Sequence, residues 1–177
     1  MKALLIIAQK NFRDEELFET REELEKVGIS VDVASITTEM AYGMLGKTYM
    51  PDLAVKDAKV DAYDAIVVVG GAGSPQLANY PEVIKLLQVA QQKGKLLAAI
   101  CLGPMVLAKA GVLKKKRATV WTSPAFPQSV RALEAGGCKY STEKLVQDDN
   151  LITAFGPDQA RQFGRAIAEK LKEIKGN

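Results

Sequence analysis

The stretch Lys95-Leu96-Leu97-Ala98-Ala99-Ile100-Cys101-Leu102-Gly103-Pro104 decides the fold. Leu96 to Ile100 follow Gly94 as an unbroken apolar run, the pattern of a strand buried on both faces of a parallel sheet. Beyond Cys101, Met105, Val106, Leu107, Ala108 and Ala110 favour a helix that stops at Gly111. Pro104 falls in its first turn, where a missing N–H costs nothing. A strand that passes almost at once into a helix must turn sharply, so the positions two before and two after the corner must be small. They are Ala99 and Gly103. The resulting A-x-C-x-G is the steric pattern of a nucleophile elbow with cysteine in place of serine. A thiol there meets the N–H groups of a helix start, which favour its anion and predict a lowered pKa. The competing possibility is that Cys101 is a small buried hydrophobe, as free cysteines often are.

Working outward, apolar runs at residues 3–8, 31–36, 65–69 and 151–154 read as further strands, with shorter ones at 118–121, 139–140 and 145–146. Helical spacing marks residues 14–27 (Leu17, Thr20 or Arg21, Leu24, Val27), 81–92 (Val83, Leu86, Leu87, Ala90), 128–134 and 158–174 (Phe163, Ile167, Leu171). Residues 37–61 are the least regular and predict short β pieces and loop. Strands alternating with helices through short connections imply an α/β three-layer sandwich: a mostly parallel, flavodoxin-like sheet with helices on both faces. The whole chain, residues 1–177, is expected to be a single domain.

Composition excludes several functions. The 177 residues are 47% hydrophobic, and 24 basic against 21 acidic residues give a net charge of +3. That balance argues against nucleic acid or a membrane as partner. The basic run Lys114 to Arg117 reads as a solvated loop, and the few aromatics do not interleave with basic residues. The apolar stretch at residues 3–8 is too short for a signal or a membrane span, so a cytoplasmic location is expected. Cys101 and Cys138 alone make neither a disulfide framework nor a zinc cluster, and Cys138 reads as packing. Histidine is absent, which removes the commonest general base and the commonest metal ligand. No metal and no cofactor are expected.

In sheets of this kind ligands bind at the carboxyl ends of the strands, where strand order reverses. Three loops should meet there: residues 9–16, residues 70–75 and the corner at Cys101. Gly70 and Gly71 leave the backbone bare, and the Gly71 and Leu102 N–H groups are candidates for an oxyanion hole; a tight turn alone would also explain the glycines. Asp14, Glu15 and Glu16 stand at a helix start, where dipole effects alone favour carboxylates. One that points inward at Cys101 would be desolvated, its pKa would rise, and it could share a proton with the thiolate. Trp121 either edges the pocket or packs.

Several motifs carry a resemblance along nearly the whole chain. Val69-Gly70-Gly71, Pro81-Glu82-Val83, Ile100-Cys101-Leu102-Gly103-Pro104, Leu107 to Leu113, Ala118-Thr119, Leu151-Ile152-Thr153 and Gly156-Pro157 resemble the PfpI superfamily. That group holds intracellular peptidases, protein deglycases and glyoxalases, and stress or redox proteins on a class I glutamine amidotransferase-like fold. The resemblance implies Cys101 as nucleophile, Glu16 as the glutamate beside it with Glu15 as the fallback, and Gly71 and Leu102 as backbone donors. It also implies a homo-oligomer. The departures matter equally. Peptidase-type members carry histidine directly after the cysteine, where this chain has Leu102; others bring one from a loop before a proline, matched here by Ser123, which is grouped with the pocket lining together with Gly70, Trp121 and Glu15. Amide hydrolysis needs a proton for a poor leaving amine, whereas thiolate addition to an aldehyde does not. The expected function is therefore a Cys101/Glu16 enzyme acting on a small carbonyl or amide substrate, glyoxalase- or deglycase-like or a hydrolase, with weak or no action on peptides. The alternative is a non-catalytic redox or stress protein in which Cys101 is oxidised.

Overall fold

The side chains of the central strands alternate between two apolar layers, and that alternation builds the domain. A computed structural model describes residues 1–176. In chain order the elements are β1 (Lys2–Ile6), β2 (Lys10–Phe12), α1 (Asp14–Glu25), β3 (Ser30–Ser35), β4 (Ala41–Gly43), β5 (Thr48–Tyr49), β6 (Leu53–Ala54), β7 (Ala65–Val68) and α2 (Pro81–Gln92). Then come β8 (Leu96–Ile100), α3 (Gly103–Lys109), β9 (Arg117–Ala118), α4 (Gln128–Ala135), β10 (Lys139–Tyr140), β11 (Leu145–Asp148), β12 (Leu151–Ala154) and α5 (Ala160–Gly176). Seven strands form the main sheet in the order β11-β12-β8-β7-β1-β3-β6. All its neighbours run parallel except β11 against β12. The fold class expected from the sequence is the one observed.

Leu4, Ile6, Ile66, Val68, Leu97 and Ala99 face α2, α3 and α4, and Leu5, Val67, Ala98 and Ile100 face α1 and α5. Every one of them is at most 3% exposed. Burying both faces is what makes these strands read as unbroken apolar runs rather than alternating ones. On the outer layer, α1 and α5 are clamped by Glu23, which is 6% exposed and bonds Arg165 at 2.9 Å, Arg161 at 3.0 Å and Lys26 at 3.0 Å. Those cations hold the Glu23 carboxyl down to about 2. The close approach is permitted by Gly164, where a Cβ would lie 2.9 Å from that of Glu23.

The expected helical face of α1 needs one correction. Leu17, Thr20 and Leu24 are buried, but Val27 is 42% exposed, because the helix ends at Glu25 and turns through Gly28 at φ +79°. The irregular region supplies β4 and β5, which pair with β2 as a separate small sheet. The sequence reading had no strand at β2. Its middle residue, Asn11, is left-handed at φ +61°, and its partner β4 lies about thirty residues downstream, so no local pattern marks it.

Two buried side-chain oxygens are unpaired among the described residues, and one of them belongs to Thr119. The Thr119 backbone N–H donates to Thr153 Oγ1 at 3.0 Å, while the wholly buried Thr119 Oγ1 has no partner among the described residues. Thr119→Val, which trades that hydroxyl for a methyl of the same shape, is expected to stabilise the fold by about 1 kcal/mol, read as a higher urea midpoint at unchanged slope.

Candidate active site

Strand order reverses around β1, whose neighbours are β3 on one side and β7 on the other. The chain leaving β1, the turn after β7 and the corner after β8 therefore meet at one end of the sheet. Backbone bonds stitch them together. Arg13 N–H donates to Gly70 O at 2.9 Å, and Gly73 N–H donates to Asn11 O at 3.0 Å.

Cys101 stands at the corner between β8 and α3 with φ +61°, a left-handed conformation that costs a non-glycine residue roughly 1–2 kcal/mol. Its backbone is tied at both ends: the N–H donates to Ala154 O at 3.0 Å, and the carbonyl accepts from Trp121 N–H at 2.9 Å. The small flanking residues are needed sterically, since a Cβ on Gly103 would lie 2.6 Å from Val68 O and 3.3 Å from Ala99 Cβ.

The three consecutive acids at the start of α1 do three different things. Asp14 accepts from Leu45 N–H at 3.0 Å and Lys47 N–H at 2.9 Å, holding the β4–β5 hairpin. Glu15 turns to Arg13, with bonds of 2.9 and 3.1 Å to its Nε and Nη2. Glu16, wholly buried, faces Cys101. Its Oε2 accepts from Gly70 N–H at 2.8 Å, while Oε1 has no partner in full hydrogen-bond geometry among the described residues. The fit leaves no room for a side chain at Gly70, where a Cβ would lie 2.5 Å from Ile100 O, 2.6 Å from Cys101 Cβ and against Glu16 Oε2.

Burial pushes the Glu16 carboxyl up to about 8, opposed by the Cys101 thiol, the Gly70 N–H and the Arg13 charge. Burial also raises the Cys101 thiol, as does the Glu16 charge beside it, against the Gly71 and Leu102 N–H groups. The two upward shifts have one meaning: this site disfavours negative charge, so thiol and carboxyl both keep their protons at neutral pH, and the carboxyl is the first of the two to ionise. The lowered thiol pKa read from the sequence is thus corrected. α3 has only seven residues, and its N–H groups are outweighed by desolvation and a carboxylate.

Above Cys101 lies a cavity of about 200 Å³, walled by Gly71, Ala72, Leu102 and Trp121, with Met44, Pro157 and Arg13 completing it. The structure brings Cys101, Glu16, Gly70, Gly71, Leu102 and Trp121 to one place. Ser123 is not in the wall; its backbone bridges to Phe126. Glu15 is held by Arg13 instead of reaching the thiol. Sequence reasoning missed Arg13, Met44 and Pro157. Arg13 had a signal, as the residue directly before the acidic first turn of α1, whereas Met44 arrives only through the folded hairpin. Cys138 packs in the opposite apolar layer, its thiol raised to about 11 by burial.

A left-handed cysteine between a central parallel strand and a helix, faced by a buried glutamate from the segment after the first strand, defines a class of α/β proteins built around a cysteine site. Within that class the chain belongs to the DJ-1/PfpI family, which it matches over residues 1–170. It is 44% identical over 177 residues to an uncharacterised protein of Methanocaldococcus jannaschii, covering 99% of this chain and 83% of that one. It is 31% identical over 170 residues to the glutathione-independent glyoxalase DJR-1.2 of Caenorhabditis elegans, covering 96% and 88%. Among solved structures, a ThiJ/PfpI domain protein from Brachyspira murdochii superposes with a TM-score of 0.91 at 27% identity, covering 97% of this chain and 96% of that one.

Proposed function

We propose that the chain is a cysteine-dependent enzyme that converts small 2-oxoaldehydes to 2-hydroxy acids. The observation that carries this is the wholly buried Glu16 carboxyl facing the Cys101 thiol at the floor of a small, largely apolar cavity. Kinship with a glyoxalase supports it.

The chemistry follows from what the pair can exchange. With Glu16 ionised, a form that populates as pH nears about 8, the thiol proton moves to its carboxylate as sulfur adds to the aldehyde carbon, and the C=O electron pair goes to oxygen, toward the Gly71 and Leu102 N–H groups. Glu16 returns the proton to that oxygen and gives a hemithioacetal. The carboxylate then takes the proton from the former aldehyde carbon and delivers it to the adjacent carbonyl carbon, while the hemithioacetal hydroxyl proton passes to the oxygen on that second carbon, leaving a 2-hydroxy thioester. Water hydrolyses the thioester, releasing the 2-hydroxy acid and restoring the thiol. One water is consumed and no outside oxidant or reductant is needed. Nothing in the sequence can protonate a leaving amine as histidine does, so peptide hydrolysis is disfavoured.

Methylglyoxal consumption with lactate formation tests this. Wild type is expected to turn over, and Cys101→Ser to lose at least about 10³-fold while staying folded. A folded wild type that turns over no 2-oxoaldehyde overturns the proposal. Peroxide oxidation of Cys101 in such an inactive protein would favour the redox alternative.

A further inference from the structure

Among the described residues, the cavity over Cys101 has one charged side chain in its wall, and it is a cation. Met44, Ala72, Leu102, Trp121 and Pro157 are neutral, whereas Arg13 brings a guanidinium. Its base is rigid: Arg13 caps α1 in an extended conformation, its N–H donates to Gly70 O at 2.9 Å, and its carbonyl accepts from Leu17 N–H at 3.2 Å. Its side chain is steadied by the two bonds to Glu15 through Nε and Nη2. Nη1 has no hydrogen-bond partner among the described residues. The Arg13 side chain is 28% exposed, and its charge is felt by both Cys101 and Glu16.

A surface ion pair two residues apart would need no further purpose. This one differs because it forms part of the wall around a reactive thiol, and an arginine with unused donors there recognises a planar anion. We propose that Arg13 is a specificity-determining residue that selects carbonyl compounds carrying a carboxylate, with Glu15 holding the guanidinium in place and tempering its charge. The substrate class is then an acidic 2-oxoaldehyde, for which 4,5-dioxopentanoate is a suitable probe: its aldehyde meets Cys101 and its carboxylate meets Arg13. The substrate assignment rests on the reaction proposed above, but the anion selection does not.

The experiment therefore has two arms. In the first, Cys101 is alkylated by iodoacetate or by iodoacetamide, each of which forms a C–S bond with the thiol and releases iodide and a proton, and the rates are read from the mass of the Cys101 peptide. Arg13→Gln is expected to lower the ratio of iodoacetate to iodoacetamide rates about tenfold, Arg13→Lys less, and Glu15→Gln to raise it. In the second arm, the kcat/KM for 4,5-dioxopentanoate relative to methylglyoxal should fall about tenfold in Arg13→Gln. Should neither compound turn over while the alkylation ratio still follows Arg13, the reaction fails and anion selection stands. An alkylation ratio unchanged in both Arg13→Gln and Glu15→Gln overturns anion selection, even in an enzyme that consumes methylglyoxal. Glu15→Gln leaves Arg13 in place, so misfolding of an Arg13 variant does not shield the proposal.

Discussion

Glu16→Gln is expected to slow 2-oxoaldehyde turnover by about 10²–10⁴-fold and, at the same time, to make the folded chain more stable at alkaline pH. The first effect follows, on the proposed mechanism, from losing the group that exchanges a proton with Cys101 and with the substrate carbon. The second follows from burial. The Glu16 carboxyl is raised from 4.5 to about 8, so the folded state holds a proton that the unfolded chain releases. A raised carboxyl contributes stability that is fully present below about pH 4.5 and is lost as pH climbs through about 8. The wild type must therefore weaken across that window from this group, by up to about 5 kcal/mol. A glutamine side chain can still accept from Gly70 N–H but cannot ionise, so its stability should stay flat there. Urea unfolding at pH 5, 7 and 9 measures the difference directly. A variant that follows the wild-type pH dependence would show that Glu16 is ionised and solvated in the folded state, contrary to its complete burial.

Much of this site was legible because it depends on local sequence. The sharp passage from β8 to α3, the small residues Ala99 and Gly103 around it, and the bare Gly70-Gly71 backbone are all written within a few positions of the atoms they affect. The layering of the sheet was legible for the same reason, since strands buried on both faces must be apolar throughout. The division of labour among Asp14, Glu15 and Glu16 was harder. Residues one apart on a helix point about 100° from each other, so only one of the three can face Cys101; deciding which needs the direction of α1 relative to β8. The cavity wall was harder still. Arg13, Met44 and Pro157 come from a helix cap, a hairpin and the segment after β12, and they meet only because β2 pairs with β4 and β12 with β8. The thiol pKa was misjudged because a helix dipole can be read from sequence but the desolvation opposing it cannot.

Gly103→Ala is expected to damage both fold and site, more than the size of one methyl suggests. β7 and β8 pair in register at Val68 and Ala99, and both residues are completely buried, so neither can retreat. The new Cβ would sit 2.6 Å from Val68 O and 3.3 Å from Ala99 Cβ, and backbone at that distance has to move. Trimming Ala99 to glycine would not relieve the contact with Val68 O. The available response is for the start of α3 to back away from the sheet, which carries the Leu102 N–H with it and pulls against the two bonds that hold Cys101 at φ +61°. Overpacking of this kind costs about 2–3 kcal/mol. A shift of even part of an ångström in the donors around the thiol should lower turnover about 10–10²-fold. Gly94→Ala provides the contrast: no atom lies within 4 Å of a Cβ there, so only the φ of +67° is penalised, by about 1 kcal/mol, and turnover should be untouched. Cys101→Ser should show the converse, full stability without turnover. If Gly103→Ala matched the wild type in urea midpoint and in Cys101 alkylation rate, the tight corner would not be what positions the thiol, and the geometry of the cavity would have to be maintained by the Ala154 and Trp121 anchors alone.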